Sequence, residues 1–339
     1  MPELPEVETT RRDLAPLIVG RVITDVWVAD DGVQPQAPLS AASFRDTIVG
    51  RRIERLERRG KYLIAALSGG LFLVLHRRMT GNLVLRRPGE AGGRFLRAII
   101  YLQEMPAVED GAGRQHVAAP AGVVASERWV AGSHDARQDR ADPRPIDGAT
   151  AVELHWEDQR RFGTWRVVVD PAEGLPRLGP EPLAPDWTAN DLAEALKRRT
   201  APVKAALLDQ QTVAGLGNIY VDESLHAAGI HPLRSANTLS EAEIKHLHQH
   251  IRAVLEKAIT LQGSSARNYV GGLGQKGGMQ EQWRVYDRSG QPCYGCGTPL
   301  VKTRIAGRGT HLCPACQPEG TMLPRAERET SHSGARAPD

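Results

Sequence analysis

Cys293-Tyr294-Gly295-Cys296, followed after sixteen intervening residues by Cys313-Pro314-Ala315-Cys316, decides how the C-terminal end of this chain folds. Two CxxC pairs at this separation suit one tetrahedral zinc ion held by four thiolates. Two disulfides are the alternative, but four cysteines in 339 residues are too few for a disulfide scaffold. Strand-like runs from Leu300 to Ile305 and from Thr310 to Leu312 flank a turn at Ala306-Gly307-Arg308-Gly309. The reading is a zinc ribbon with an arginine at its hairpin tip. Four protein ligands leave no open coordination position, so the Zn2+ is structural. With Lys302 and Arg304 alongside, the tip suits either a nucleic-acid groove or a protein partner.

Working outward, the glycine-rich loop 271–278 precedes the ribbon. Its Gly272-x-Gly274-x2-Gly277 matches a dinucleotide-binding pattern, but no βαβ unit surrounds it. Before it, Ile244, Leu247, Ile251, Val254, Leu255 and Ala258 form one apolar helical stripe that stops at Gly263. His246 and His250 lie four apart on that helix, amid charged neighbours on its solvated face. Ser240 with Glu243, and Thr188 with Asp191, have capping-box spacing. Upstream, Pro171, Pro176, Pro180, Pro182 and Pro185 mark an interdomain linker.

The first half changes character. Residues 3–19 read as a helix with Pro5 near its first turn and Gly20 as stop. Strand-like runs follow at Val22 to Val28, Tyr62 to Leu67, Leu71 to Leu75, Leu83 to Leu85 and Phe95 to Leu102. They resume at Val152 to Trp156 and Thr164 to Val169, and Ser68-Gly69-Gly70 signals a hairpin. Residues 103–150 lack sustained periodicity and read as an insertion between paired strands. The expected organisation is a β-rich domain 1–170 containing that insertion and a linker 171–187. A helical domain 188–270, a loop-plus-ribbon segment 271–317 and a disordered tail 318–339 complete it.

Composition sets the outer limits. No apolar run approaches the ~18 residues needed to span a bilayer, so no membrane partner is expected. The start of the chain has no apolar h-region, so no secretory signal is read there. The net charge of +3 looks uninformative until it is divided. The insertion holds eight acids against five arginines, and residues 317–339 hold four against three, which leaves +7 on the remainder. A basic body carrying acidic appendages favours a polyanionic partner.

The N-terminus carries the most unusual chemistry. If Met1 is removed, Pro2 becomes a secondary amine with a pKa near ~8, partly neutral and nucleophilic at pH 7. Glu3 and Glu6, three apart at a helix start, can present two carboxylates to that amine. Proline and glutamate are also ordinary first-turn residues. Lys61, after Gly60 and the basic stretch 51–59, suits a phosphate contact or a solvated strand edge.

Taken together these motifs resemble one family. Met1-Pro-Glu-Leu-Pro-Glu-Val-Glu-Thr9 matches the N-terminal signature of the formamidopyrimidine-DNA glycosylases, within the wider group that includes endonuclease VIII. Gly60-Lys61-Tyr62-Leu63, His76 through Met79-Thr80-Gly81, Asp158-Gln159-Arg160-Arg161-Phe162-Gly163 and Leu178 to Leu183 recur in the family's order. So do Asp209 to Tyr220 and the four-cysteine module. The resemblance implies an α+β multidomain fold: an N-terminal β-sandwich behind a leading helix, then a helix–two-turn–helix domain and the four-cysteine zinc ribbon. It implies damaged double-stranded DNA as partner, held in a cleft between the domains, with the lesion base flipped out.

The same resemblance implies roles. Pro2 attacks the sugar, Glu3 supplies protons, and Glu6 supports the pocket. Lys61, Lys204, Asn218 and Arg308 grip phosphates, with His76 beside them. Met79, Arg160 and Phe162 fill the vacated stack, and Tyr286 lies on the lesion side. The expected protein is a cytoplasmic, nucleoid-associated monomer that excises oxidised purines and cuts the strand. The rivals are an oxidised-pyrimidine glycosylase and a non-catalytic damage-binding protein. Two departures stand out. Arg77-Arg78 replaces smaller residues and is expected to add phosphate grip, and residues 267–280 align poorly where the family caps the base.

Overall fold

A computed structural model describes residues 2–29, 34–35, 41–104 and 150–319. Met1 and, apart from their first or last few residues, the 103–150 insertion and the tail lie outside the described residues. The chain divides into two units. One holds Pro2, Glu6–Pro176 and Ser265–Gly277, and the other holds Glu3–Pro5, Arg177–Ser264 and the chain from Gly278 onward.

In the first unit, α1 (Leu4–Ile18) buries Val7, Leu14 and Ile18 along one stripe and gives way at Gly20, where φ is +90°. Then come β1 (Val22–Val28), β2 (Gln34–Pro35), α2 (Ala41–Ile48), β3 (Ile53–Arg59), β4 (Tyr62–Leu67) and β5 (Leu71–His76). β6 (Gly81–Arg86), β7 (Leu96–Gln103), β8 (Ala151–Asp158), β9 (Thr164–Val168) and the short α3 (Pro171–Gly174) follow. One sheet has the order β1-β7-β8-β6 and the other β2-β9-β5-β4-β3. Inward residues of both sheets, among them Ile23, Leu63, Leu75, Leu83, Ile100, Leu154 and Trp165, share one core. This is a β-sandwich.

The hairpin turn at Gly69 and Gly70, both at positive φ, joins β4 to β5 as its composition implies. α2 and β3 are among the elements that escaped sequence reading. α2 lacks capping-box spacing, since Ser43 and not an acid or amide follows Ser40 by three, and β3 reads as a basic run because it is the outermost strand of its sheet. Glu54, Arg55 and Glu57 face water while Ile53 and Leu56 turn inward, a common defence of an exposed sheet edge.

In the second unit, α4 (Ala189–Leu196), α5 (Val203–Leu208), α6 (Asn218–Ala228) and α7 (Glu241–Thr260) pack around Leu207, Leu216, Tyr220, Leu247 and Leu255. Both capping boxes form. The ribbon hairpin β10 (Val301–Ile305) and β11 (Arg308–Leu312) is antiparallel, with Ile305 opposite Arg308. Its own core is small: Val285, Leu300 and the ligands Cys293 and Cys313.

Residues 265–277 depart from the expected division at 270/271. They pack on the sandwich unit, because β6 is an edge strand whose backbone needs partners. Leu85 N–H donates to the Gly272 carbonyl at 2.8 Å, and the Asp13 carboxylate accepts from Gly272 N–H and Gln275. Among the described residues no helix is long and apolar enough to cross a membrane.

Candidate active site

In the helical unit the site is organised around a helix N-terminus. α6 begins at Gly217 without a side-chain cap of its own. The Glu3 carboxylate takes that place, accepting from Ile219 N–H at 3.0 Å and Tyr220 N–H at 3.4 Å. Free N–H groups and the helix dipole make this a natural seat for a carboxylate. The two glycines of the Ala214-Gly215-Leu216-Gly217 run make room for it. A Cβ at Gly217 would lie 2.3 Å from the Glu3 carboxyl carbon, and one at Gly215 would meet Leu4 at 2.6 Å. Leu4 N–H also donates to the Gly215 carbonyl at 3.0 Å. The Gln210 side chain braces the loop through Gly215 N–H and the Leu216 carbonyl.

Lys204 and Asn218 converge on one acceptor. Both donate to the carbonyl of Gly309 at 2.9 Å, next to Arg308, which is exposed at the ribbon tip. Lys204 also forms a 2.6 Å ion pair with Asp222, and both side chains are fully buried. Burial pushes the Lys204 pKa down against the pull of Asp222. In this conformation the two side chains expected to grip phosphates, Lys204 and Asn218, are thus engaged within the protein. The Lys204 ammonium and the Asn218 amide hold the backbone behind Arg308, and of the three only Arg308 is presented outward.

Sequence reasoning missed the carboxylates that complete this anchorage. Asp222 accepts from His311 N–H at 2.9 Å. Glu223 accepts from the N–H groups of Arg284, Val285 and Tyr286 at 2.8–3.0 Å, while burial pushes its pKa up. Their signal was available: two adjacent acids in a helix otherwise lined by Ile219, Tyr220, Val221 and Leu225. Tyr286 is half-buried, with its ring edge-on to Trp283 and His311, each at 4.9 Å.

The four cysteine sulfurs lie within 4.8 Å of one another. The separations Cys296–Cys313, Cys296–Cys316 and Cys293–Cys316 are 3.4, 3.5 and 3.9 Å. A tetrahedron with zinc–sulfur bonds of about 2.3 Å has edges of about 3.8 Å. The donor set fits one structural zinc ion, which stabilises a ribbon whose apolar core is too small to fold unaided.

In the sandwich unit two loops carry the stack-filling candidates. Met79 follows β5 and is 39% exposed, and Phe162 follows β8 and is 50% exposed. The Arg160 guanidinium lies over the Phe162 ring at 4.7 Å. One buried carboxylate ties both loops together. Asp158 accepts from Arg160 N–H at 3.2 Å, from Gly163 N–H at 2.8 Å and from the Thr80 hydroxyl, and that hydroxyl also accepts from Arg160 N–H. Behind them Trp156 fills the space a side chain at Gly81 or Gly163 would need. Large apolar side chains exposed on rigid loops are poor core residues and good wedges.

Pro2, Glu6 and Lys61 are all buried. Lys61 stands at the β3–β4 turn, after Gly60 at φ +55°. Burial first, then the charges of Arg78 and Lys61, push the His76 pKa down to about 3. Its Nδ1 accepts from Arg78 N–H at 3.0 Å, so the neutral ring carries its proton on Nε2. His76 is thus a neutral donor throughout the physiological range. Arg78 is exposed, whereas Arg77 is 1% exposed and turned inward. The expected extra phosphate grip is corrected to Arg78 alone.

Comparisons with known proteins follow the same division. Residues 1–165 match the formamidopyrimidine-DNA glycosylase N-terminal domain, 178–270 the H2TH domain of the same glycosylases, and 290–318 a zinc finger found in FPG and IleRS. The formamidopyrimidine-DNA glycosylase of Symbiobacterium thermophilum is 40% identical over 97% of this chain and 94% of its own length. That of Chloroflexus aurantiacus is 40% identical over 94% and 98%. Among solved structures, Lactococcus lactis Fpg in complex with abasic-site DNA aligns with a TM-score of 0.73 and 34% identity, covering 94% of this chain and all of that one. A mutant of the same protein with Fapy-dG-containing DNA gives 0.74 and 33% at the same coverage.

Proposed function

Because the chain belongs to the formamidopyrimidine-DNA glycosylase family, and with it to the DNA-repair glycosylases, we propose that it excises oxidised purines such as 8-oxoguanine and formamidopyrimidines from duplex DNA and then cuts the strand as a lyase. Once Met1 is removed, the Pro2 nitrogen attacks the sugar C1′ of an extruded nucleotide, and the C1′–base bond breaks as the base leaves with a proton. Glu3 donates a proton to the ring oxygen as the sugar opens, leaving an iminium between Pro2 and C1′. That cation acidifies the C2′ protons. Loss of one expels the 3′ phosphate, and a second elimination expels the 5′ phosphate.

The other residues serve this chemistry by position. Glu6 supports the pocket behind Pro2. Arg308, Lys61 and neutral His76 contact phosphates, with Lys204 and Asn218 fixing the ribbon tip from behind. Met79, Arg160 and Phe162 enter the gap the base leaves. Tyr286 stays on the lesion side. The chain acts as a monomer.

The observation that carries this reading is the Asp158-pinned trio of Met79, Arg160 and Phe162, exposed together on two loops of a sandwich that also bears Pro2 and Lys61. Borohydride trapping on an 8-oxoguanine·cytosine duplex tests it, with Pro2→Gly as control. A covalent adduct with the native chain is expected, and its absence overturns the catalytic reading. Faster cutting of a thymine-glycol duplex would move the specificity to oxidised pyrimidines. Intact mass is expected to show loss of Met1, since its retention would bury the nucleophile in an amide.

A further inference from the structure

Arg77 is a fully buried cation of the sandwich unit. A guanidinium has five N–H donors, and here each finds an acceptor. Nε donates to the Gly81 carbonyl at 2.6 Å. Nη1 donates to the Thr10 hydroxyl at 2.6 Å and to the Glu6 carbonyl at 3.4 Å. Nη2 donates to the Asn82 side-chain oxygen and to the Val270 carbonyl at 3.3 Å. The Tyr269 ring lies 5.0 Å from the guanidinium carbon, and its hydroxyl donates to the same Glu6 carbonyl.

These acceptors belong to three separate pieces of chain. Glu6 and Thr10 are on α1, directly after Pro2. Gly81 and Asn82 open β6, directly after Met79. Tyr269 and Val270 belong to the segment 265–277, which Asn82 grips again through the Asn268 carbonyl at 2.6 Å and Val270 N–H at 3.3 Å. Asn268 in turn donates to Gln159, the neighbour of Arg160, at 2.8 Å. A planar fork bonded on every donor tolerates little rotation, so the three pieces are held in one register.

We propose that Arg77, with Asn82, is a positioning residue that couples entry of the Met79 wedge into the DNA stack to presentation of the sugar to Pro2. The proposal rests on the function given above. Arg77 touches no DNA. It keeps the wedge hairpin, the nucleophile-bearing helix start and segment 265–277 moving as one body.

The test compares the native chain with Arg77→Met, Arg77→Lys and Asn82→Ala on one abasic-site duplex. Single-turnover borohydride trapping at saturating DNA is expected to slow about 30-fold for Arg77→Met, since misplacement near 1 Å costs rates of this order. The Kd for the duplex should change by less than about twofold, a loss confined to the chemical step. Arg77→Lys keeps the charge without the fork and should recover only part of the rate. Asn82→Ala leaves the α1 contacts intact, so it reports even if Arg77→Met does not fold. Its trapping should slow by a smaller factor while the Val270 amide exchanges hydrogen faster. Native-rate trapping by Asn82→Ala, or a parallel loss of rate and affinity in the Arg77 variants, overturns the proposal. Failure of the native chain to trap at all would instead overturn the function on which it rests.

Discussion

Asp158 in the sandwich unit and Asp222 in the helical unit are both buried carboxylates that organise a site, yet they work in opposite directions. Asp158 gathers backbone N–H groups and a hydroxyl, and so frees Met79, Arg160 and Phe162 to stand exposed. Asp222 instead draws inward a side chain expected to face DNA, pairing with Lys204 while Lys204 and Asn218 hold the Gly309 carbonyl. On one side the scaffold is hidden and the working groups are outside. On the other, the conspicuous cation is itself scaffold, and Arg308 stands outward. A lysine in a family motif therefore does not announce whether it grips the ligand or the protein; burial decides that.

Four experiments would break or sharpen this contrast. The largest effect should follow zinc removal, because structural thiolate sites contribute about 10–16 kcal/mol in small zinc modules. Metal analysis should find one zinc per chain, and chelation should abolish hydrogen-exchange protection at residues 301–312 while the sandwich strands stay protected. Protection that survives chelation would mean that the ribbon folds on its apolar core. Next, Lys204→Met should destabilise the helical unit by about 3–5 kcal/mol in chemical denaturation, since it strands the Asp222 charge in the interior. A cost near that of an exposed lysine would show that Lys204 faces water and restore it as a direct phosphate ligand.

The third effect depends on pH. The folded-state pKa of His76 is about 3, below the ordinary value of 6.5, so the unfolded chain takes up this proton first as pH falls. Stability from this source is complete above about 6.5 and declines as pH falls from there toward 3. Between pH 7 and 5 the native chain should lose about 1–2 kcal/mol more than His76→Gln in denaturant titrations. Equal losses would mean an imidazole in contact with water. The smallest stability effect belongs to Phe162→Ala, expected within about 0.5 kcal/mol because the ring is half exposed. The same variant should lose strand cutting on an 8-oxoguanine duplex. A large stability cost would make Phe162 a core residue and break the contrast with Asp158.

Much of the fold was legible in the chain itself. β1 and β4 cover the strand-like runs Val22 to Val28 and Tyr62 to Leu67, and both capping boxes form at Thr188 and Ser240. The cysteine spacing implied the sulfur tetrahedron. What misled was charge. β3 read only as a basic stretch because an edge strand carries charges such as Glu54, Arg55 and Glu57 on its outer side. Arg77 looked like a surface arginine because nothing local shows that its five acceptors lie at residues 6, 10, 81, 82 and 270. Asp222 and Glu223 could have been singled out as acids in an apolar helix, but not their partners.

Sequence alone determined what is local or covalent: turn glycines, capping boxes, helical and strand periodicities, a four-thiolate metal site and a proline that becomes a free amine once Met1 is removed. These depend on neighbours within one turn or on fixed spacings. Tertiary structure decided which charges face inward, that Glu3 caps α6, that residues 265–277 belong to the sandwich, and that Arg77 is a clasp. Each is a long-range pairing, and the energy of a buried polar group depends on partners that sequence distance does not reveal.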